Sequence, residues 1–181
     1  MQVPTHIMSG WCAANLVGNL TPRQRSFCMI AASIADLDGL SILGGQEAYW
    51  RYHHLLCHNL MFGLLTSGIP VWFSSGGFRV FILYLTLFHL HLWMDFFGSG
   101  PGWEIYYFWP LSKWFPSNLK YAWNFYSWQN LSIAGGLLIC TILIAIFQRR
   151  TPLEAAMPEL DRQLVDWLRR PFKKSAMRRN N

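Results

Sequence analysis

The chain has 181 residues, which is enough for one domain with a single core. It is 52% hydrophobic and 17% aromatic but only 13% charged, whereas soluble domains carry about 25% charged residues. This composition argues against an ordinary soluble domain and predicts an all-α membrane protein with short loops. The net charge of +6 comes from a few basic clusters, which favours membrane topology over binding of nucleic acid.

Five apolar segments predict an integral membrane helical bundle. In chain order they cover residues 6–20, 26–35, 58–73, 78–97 and 131–147, and the last is the clearest spanning helix. The first segment is expected to begin at an N-cap, Thr5, and to stop near Gly18. The first two segments are short for independent spans, so they form either a tight hairpin inside the bundle or a re-entrant pair. Four glycines are expected to let helices approach closely: Gly63, Gly68, Gly135 and Gly136.

Two further stretches are predicted outside the apolar segments. The residues between Gly98 and Asn130 are rich in tryptophan and tyrosine, which is typical of a membrane interface. Residues 149–181 form a basic tail, separate from a membrane-embedded domain over residues 1–148. The apolar pattern of the tail predicts a helix that either lies on the inner leaflet or packs on the end of the bundle. The apolar face of this helix consists of Leu160, Leu164, Trp167 and Leu168.

Positive charge predicts the orientation of the bundle. If the five segments alternate in direction, twelve of the fifteen Lys and Arg residues fall on one side of the membrane. The excess of Lys and Arg marks the cytoplasmic side, so the N-terminus is expected outside and the C-terminus in the cytoplasm. Besides the seven Lys and Arg residues after Arg150, this side collects Arg23, Arg25, Arg79, Arg149 and Arg150.

On this topology the titratable side chains gather at the outer end of the bundle. His91 and Asp95 are four residues apart, share one helical face and are therefore expected to bind one metal ion. His89 lies on another face of the helix and is expected to pack against a neighbour or to support a ligand. The remaining candidates at this end are His6, Asp36, Asp38, His53, His54 and His58, with His54 the uncertain member.

Mixed imidazole and carboxylate donors suit zinc, and also manganese or iron(II). The candidates outnumber the ligands of one tetrahedral ion, so the sequence is also compatible with a site that binds two or more ions. Asp36 and Asp38 also fit a solvated turn that ends a helix, but two acids beside apolar flanks need counter-charge. The four cysteines show no C-x-x-C spacing, and Cys57 is expected to remain a buried neutral thiol.

Several motifs together resemble the YdjM-like family of bacterial inner-membrane proteins, which are described as metal-dependent hydrolases. They are T-H at residues 5–6, A-D-L-D-G at 35–39, H-x-x-x-x-H at 53–58, H-x-x-x-D at 91–95 and G-x-x-x-Y-Y-F-W-P at 102–110. The family is distantly similar to zinc phospholipase C and related single-strand nucleases, helical enzymes with multi-zinc clusters. The resemblance implies a metal-ligand set of His6, Asp36, Asp38, His53, His58, His91 and Asp95.

The chain departs from the family pattern at three places. The family usually has Pro where Ala35 stands, Arg where His54 stands, and Thr-His-Ser at residues 57–59, which here read Cys-His-Asn. Arg51 is the nearby residue that is expected to replace the arginine and to hold an anionic head group. Asp36 or Asp38 is expected to act as general base if it is not a metal ligand.

Three functions follow as hypotheses. The first is a membrane-bound metal-dependent hydrolase of an ester or phosphoester, with a lipid or lipid-linked substrate. The second is a non-enzymatic membrane protein in which the cluster is a structural metal site or a surface for a partner. The third is electron transfer by haem ligated by His58 and His91.

Overall fold

The computed structural model describes residues 1–73 and 76–179, with side chains described as far as residue 172. Over these ranges the chain forms helices and turns and no strand, which confirms the all-α prediction. The α-helices are α1 (Val3–Leu16), α2 (Pro22–Ala31), α3 (Gln46–Tyr52), α4 (Leu60–Phe73), α5 (Gly77–Gly98), α6 (Trp128–Gln148) and α7 (Pro158–Arg179). A 3-10 segment, Ile34–Gly44, lies between α2 and α3.

Local sequence explains where several helices begin. Thr21 accepts a hydrogen bond from the backbone N–H of Gln24, and the Gln24 side chain accepts one from the Thr21 N–H. This capping box, followed by Pro22, satisfies N–H groups that the first turn leaves unpaired. Ser127 caps α6 through the N–H of Asn130. The predicted N-cap Thr5 is wrong, because α1 already begins at Val3 with Gln2 as its cap.

Helix α5 lies at the centre of the bundle, packed against α2 and α4, while α1 packs against α2 and α6. A Cβ atom at Gly10 would lie 2.5 Å from the carbonyl oxygen of Cys28, so glycine permits the close approach of α1 to α2. Gly63 likewise lets α4 approach the ring of Phe88 on α5. The prediction of close contacts is therefore confirmed for Gly63. It is wrong, among the described residues, for three glycines that face open space: Gly68, Gly135 and Gly136.

Two described helices are long and apolar enough to cross a membrane, α5 and α6. Helix α2 and the 3-10 segment are bent by 51° at their junction, and together they make a third candidate, either a broken span or a re-entrant loop. Helices α1 and α4 have 14 residues each, or about 21 Å at 1.5 Å per residue, which is less than the hydrocarbon core. The described residues thus contain two or three candidate spans where the sequence predicts about five apolar segments.

The aromatic segment between α5 and α6 contains no helix and is held by two buried asparagines. The Asn118 amide donates to the carbonyl oxygens of Gly100 and Trp103 and accepts from the Gly102 N–H. The Asn130 amide donates to the Gly98 carbonyl oxygen at 2.7 Å. These bonds fix the segment against the end of α5, beside the titratable side chains.

The basic tail is joined to the bundle at its start. Glu154 forms a buried ion pair with Arg25 of α2, and Asp161 of α7 accepts a hydrogen bond from the backbone N–H of Thr151. Val165 is buried, whereas Leu160 and Trp167 are exposed. Helix α7 therefore contacts the bundle with one face and leaves much of its predicted apolar face uncovered within the described residues.

Candidate metal centre

Four parts of the chain bring titratable side chains to one end of the bundle. Helix α1 supplies one histidine, the 3-10 segment two aspartates, the turn between α3 and α4 three histidines, and α5 a histidine and an aspartate. All are buried except Asp36 and His53, which are partly exposed. The seven predicted ligands and His54 form one connected network of contacts, which runs through His6, Asp36, Asp38, His53, His54, His58, His91 and Asp95.

Asp95 lies at the centre of this network. Its Oδ1 atom is 3.1 Å from Nε2 of His6, and its Oδ2 atom is 3.0 Å from Nε2 of His91 and 3.3 Å from Nε2 of His58. Ser99 donates a hydrogen bond to Oδ1 at 3.0 Å. The α-amino group of Met1 also contacts this oxygen.

The outer hydrogen bonds of two histidines determine where their lone pairs point. Nδ1 of His91 is 2.9 Å from the carbonyl oxygen of Ala32, and Nδ1 of His58 is 2.9 Å from Oδ2 of Asp38. Because both oxygens are acceptors, each Nδ1 carries the hydrogen, and each neutral ring keeps a lone pair on Nε2. Metal-binding histidines are commonly oriented by bonds of this kind.

The two Nε2 lone pairs meet at one point. Nε2 of His58 and Nε2 of His91 are only 3.1 Å apart, and Oδ2 of Asp95 lies against both. Three acceptors this close repel one another unless a proton or a metal cation lies among them. A positive charge at the centre of these three atoms would therefore be stabilised.

The donor atoms fall into two groups that share Asp95. One consists of His6, Asp36, His91 and Asp95, and the other of His54, His58 and Asp95. Within each group, one donor atom from every residue lies within 4.8 Å of the others, close enough for a modest side-chain movement to surround one ion. A mixture of nitrogen and carboxylate oxygen donors fits zinc, manganese or iron(II).

Asp38 and His53 lie at the edge of this arrangement. Asp38 accepts hydrogen bonds from the rings of His53 and His58 and from the backbone N–H of Cys57. With its oxygens occupied in this way, Asp38 orients the His58 ring through Nδ1, on the side away from Asp95. Neither Asp38 nor His53 belongs to either donor group. Burial and the charge of Asp38 raise the pKa of Cys57 to about 12, so its side chain stays a neutral thiol, as predicted.

His54 was the uncertain candidate in the sequence, and the structure buries it beside Asp95. Its Nε2 atom is 3.7 Å from Oδ2 of Asp95, and its ring centroid is 4.3 Å from that of His58. Burial lowers the pKa of His54 well below its usual value, and the neighbouring His58 adds to this effect. Burial alone would also lower the pKa of His58, but hydrogen bonds to Asp38 and Asp95 outweigh it and raise this pKa to about 9. His58 therefore carries the central proton when no metal is bound.

A cleft of about 850 Å³ opens onto the cluster. Asp36, His53 and Asp95 line it on the side of the cluster. Aromatic rings from α3 and from the segment between α5 and α6 line much of the rest, together with residues 1–4. The rings of Trp50 and Trp103 stack with their centroids 4.4 Å apart. The cluster is thus reached from outside through an aromatic entrance.

Two other residues singled out in the sequence lie away from the cluster. Arg51 is on the exposed side of α3, donates to Glu47 at 3.3 Å, and does not line the cleft. The His89 ring contacts the carbonyl oxygen of Leu85 and the hydroxyl of Tyr107, both at 2.7 Å. His89 therefore packs against a neighbour, as its helical position predicts.

Comparison with known proteins identifies the family of the chain. No curated protein and no solved structure matches the chain. The family model described as "YdjM inner membrane protein" matches residues 1–157, which covers every residue of the candidate centre. The chain therefore belongs to the YdjM inner membrane protein family.

Proposed function

We propose that this protein is a membrane-bound metal-dependent hydrolase that cleaves an ester or phosphoester of a lipid or lipid-linked substrate. The observation that carries the proposal is the convergence of Nε2 of His58, Nε2 of His91 and Oδ2 of Asp95 beside an open cleft. Zinc fits the donors best, with manganese and iron(II) as the other candidates. A bound divalent ion lowers the pKa of water towards 7 and stabilises negative charge on a leaving oxygen.

The protein's own contribution to the reaction comes from the residues at the edge of the cleft. Oδ1 of Asp36 is 3.8 Å from Nε2 of His91, while Oδ2 has no hydrogen-bond partner among the described residues. A carboxylate that lines the cleft with a free oxygen is suited to accept a proton from an attacking water. Asp36 is therefore our candidate general base, and Asp38 is better placed to orient His58. Arg51 has no part in this mechanism because its side chain lies outside the cleft.

The lining of the cleft supports an amphiphilic substrate. Leu40 and Trp50 line the cleft and are also exposed, and the neighbouring Leu43 is 86% exposed. This apolar rim belongs to the 3-10 segment and α3, next to the bent junction with α2 that forms a candidate span. A lipid chain lying against the rim would place its polar head group at the cluster.

A structural metal site without catalysis is the second candidate. It would require every coordination position to be filled by protein, whereas the cleft gives solvent and ligands access to the Asp36 and Asp95 carboxylates. Haem is disfavoured by the geometry, because a 3.1 Å separation between Nε2 of His58 and Nε2 of His91 leaves no room for a porphyrin between them.

We propose that the chain crosses the inner membrane several times, with the N-terminus and the metal centre outside and the C-terminus in the cytoplasm. The clustered basic residues support this orientation. The uncovered apolar face of α7 is then available to lie on the inner leaflet. A fluorescent reporter that is active only in the cytoplasm, fused after Asn181, is expected to be active. Activity confined to a periplasm-specific reporter at the same position would contradict the orientation.

Hydrolysis is tested with detergent-solubilised protein and a panel of phospholipids and lipid-linked phosphates, each with its water-soluble head-group analogue. We expect cleavage of a long-chain substrate and a rate lower by about 10²–10⁴-fold in Asp36→Asn, with the metal content retained. His89→Asn, on the opposite side of α5, serves as the matched control and is expected to keep the wild-type rate. No turnover of any substrate by the metal-loaded protein would contradict the proposal, and loss of metal in Asp36→Asn would make Asp36 a ligand instead of a base.

A further inference from the structure

We infer that the centre holds two divalent cations bridged by Asp95, and that His54 is a ligand of the second ion. The inference rests on the proposed metal site and extends it from one ion to a defined pair. It also assigns a ligand role to His54, the uncertain candidate in the sequence, which is not in the ligand set that the family resemblance implies.

The backbone at His54 turns its ring into the protein. His54 has a φ of +67°, in the left-handed region that residues other than glycine seldom adopt. Its carbonyl oxygen accepts a hydrogen bond from the N–H of Tyr106 at 3.5 Å, so the aromatic segment holds this turn. As a result, 99% of the His54 surface is buried, although the residue belongs to a short connection between helices.

The buried ring lacks the partners that an imidazole requires. Among the described residues, Nδ1 of His54 has no hydrogen-bond partner. Nε2 faces Oδ2 of Asp95 at 3.7 Å, which is beyond hydrogen-bond distance. A buried polar atom without a partner costs about 1–3 kcal/mol, so it calls for a group that the protein itself does not supply. A cation between His54 and Asp95 would meet this requirement.

The two oxygens of Asp95 face different histidines. Oδ1 faces His6, whereas Oδ2 faces His91 and His58 and, further away, His54. A carboxylate placed in this way can hold two ions about 3.5–4 Å apart, which is the usual spacing of two-metal sites. From the first donor group, His6, His91 and Asp95 would bind one ion, with Asp36 beside it as the proposed base, and His54, His58 and Asp95 would bind the second ion.

The second ion would have three protein ligands, which leaves a tetrahedral position open. Zn²⁺ and Mn²⁺ both accept this mixture of two imidazoles and one carboxylate. Asp95 also lines the cleft, so one ligand of the second ion would border the space from which a substrate enters.

Metal stoichiometry tests this inference directly. Full-length protein in detergent is stripped with a chelator, reloaded with Zn²⁺ or Mn²⁺, and analysed by elemental analysis. Electron paramagnetic resonance of the Mn²⁺ form reports whether two ions interact magnetically. The variant is His54→Asn, because asparagine tolerates a left-handed backbone while its shorter side chain withdraws the ligand. His89→Asn is the matched control on α5.

We expect two ions per chain and a magnetically coupled Mn²⁺ spectrum in the wild type and in His89→Asn. His54→Asn is expected to bind one ion and to show the spectrum of an isolated Mn²⁺. One ion in the wild type, or two coupled ions in His54→Asn, would overturn the inference. A single wild-type ion that is lost in His91→Ala would leave the proposed hydrolase standing, whereas a wild type that binds no ion would overturn both.

Discussion

Asp95 brings its carboxylate within 4 Å of four histidine rings that come from three different parts of the chain. Nε2 atoms lie at 3.1 Å for His6, 3.7 Å for His54, 3.3 Å for His58 and 3.0 Å for His91. Taking so many polar groups out of water is costly unless they are paired, and the pairing here is incomplete for His6 and His54 within the described residues. At the scale of single residues, this incomplete pairing supports the proposal that the site binds a cation.

Some of these residues are predictable from the sequence and others are not. The i, i+4 spacing of His91 and Asp95 on an apolar helix fixes their shared face, and the structure joins their side chains. The place of His54 depends on a left-handed turn and on a bond from Tyr106, which are set by tertiary contacts. The only sequence signal for His54 as a site residue is that it directly follows His53. Asp38 contacts Nδ1 of His58 and belongs to neither donor group, and this position likewise depends on the fold.

The pKa of His58 predicts how the metal-free protein responds to pH. The folded pKa of about 9 lies above the usual value of 6.5, so the folded state binds the proton more tightly than the unfolded state. This contribution to stability is complete below about pH 6.5 and is lost as the pH rises through 9. Thermal unfolding in the presence of a chelator should therefore show a lower midpoint at pH 9.5 than at pH 6.5.

His58→Asn is the control for this titration and is expected to lose most of that difference. The metal-loaded wild type should lose it as well, because the lone pair of His58 then binds the ion. An equal pH response of the wild type and His58→Asn without metal would contradict the role of His58 as the proton carrier.

At the scale of elements, α5 positions the centre because its neighbours approach it closely. It carries His91 and Asp95, while Ala32, at the end of α2, accepts the outer hydrogen bond of His91. The ends of α5 and α6 match the predicted apolar segments closely, since long apolar helices carry a strong sequence signal. The 51° bend after α2 is not predicted, because the apolar segment at residues 26–35 runs across the junction into the 3-10 segment that begins at Ile34.

Gly10 tests the packing of α1 on α2. Gly10→Ala would place a Cβ atom 2.5 Å from the Cys28 carbonyl oxygen and 2.9 Å from Cα of Met29, both of which belong to the α2 backbone and cannot rotate away. We expect a loss of about 1–3 kcal/mol in unfolding free energy, measured by denaturation in detergent. Gly136→Ala, where the Cβ atom meets open space, should be neutral or slightly stabilising. Equal stability of the two variants would contradict this account of the α1–α2 interface.

At the scale of the whole molecule, the bundle and the start of the tail form one connected unit. Nη2 of Arg25 is 2.8 Å from Oε2 of Glu154, so this arginine is paired inside the fold. Its charge therefore counts less towards membrane orientation than the sequence alone suggests, and the exposed basic residues of the tail count more. The family match ends at residue 157, directly before α7 begins at Pro158. The family match thus covers the bundle and its connection to α7.

The central claim is that this buried cluster binds a divalent metal through Asp95 and the histidines around it. The most direct test is elemental analysis of detergent-purified protein, with His91→Ala and Asp95→Asn beside the control His89→Asn. We expect stoichiometric zinc, manganese or iron in the wild type and in His89→Asn, and loss of most of that metal in the other two variants while they remain folded. A wild type without stoichiometric metal, or an unchanged metal content in Asp95→Asn, would contradict it.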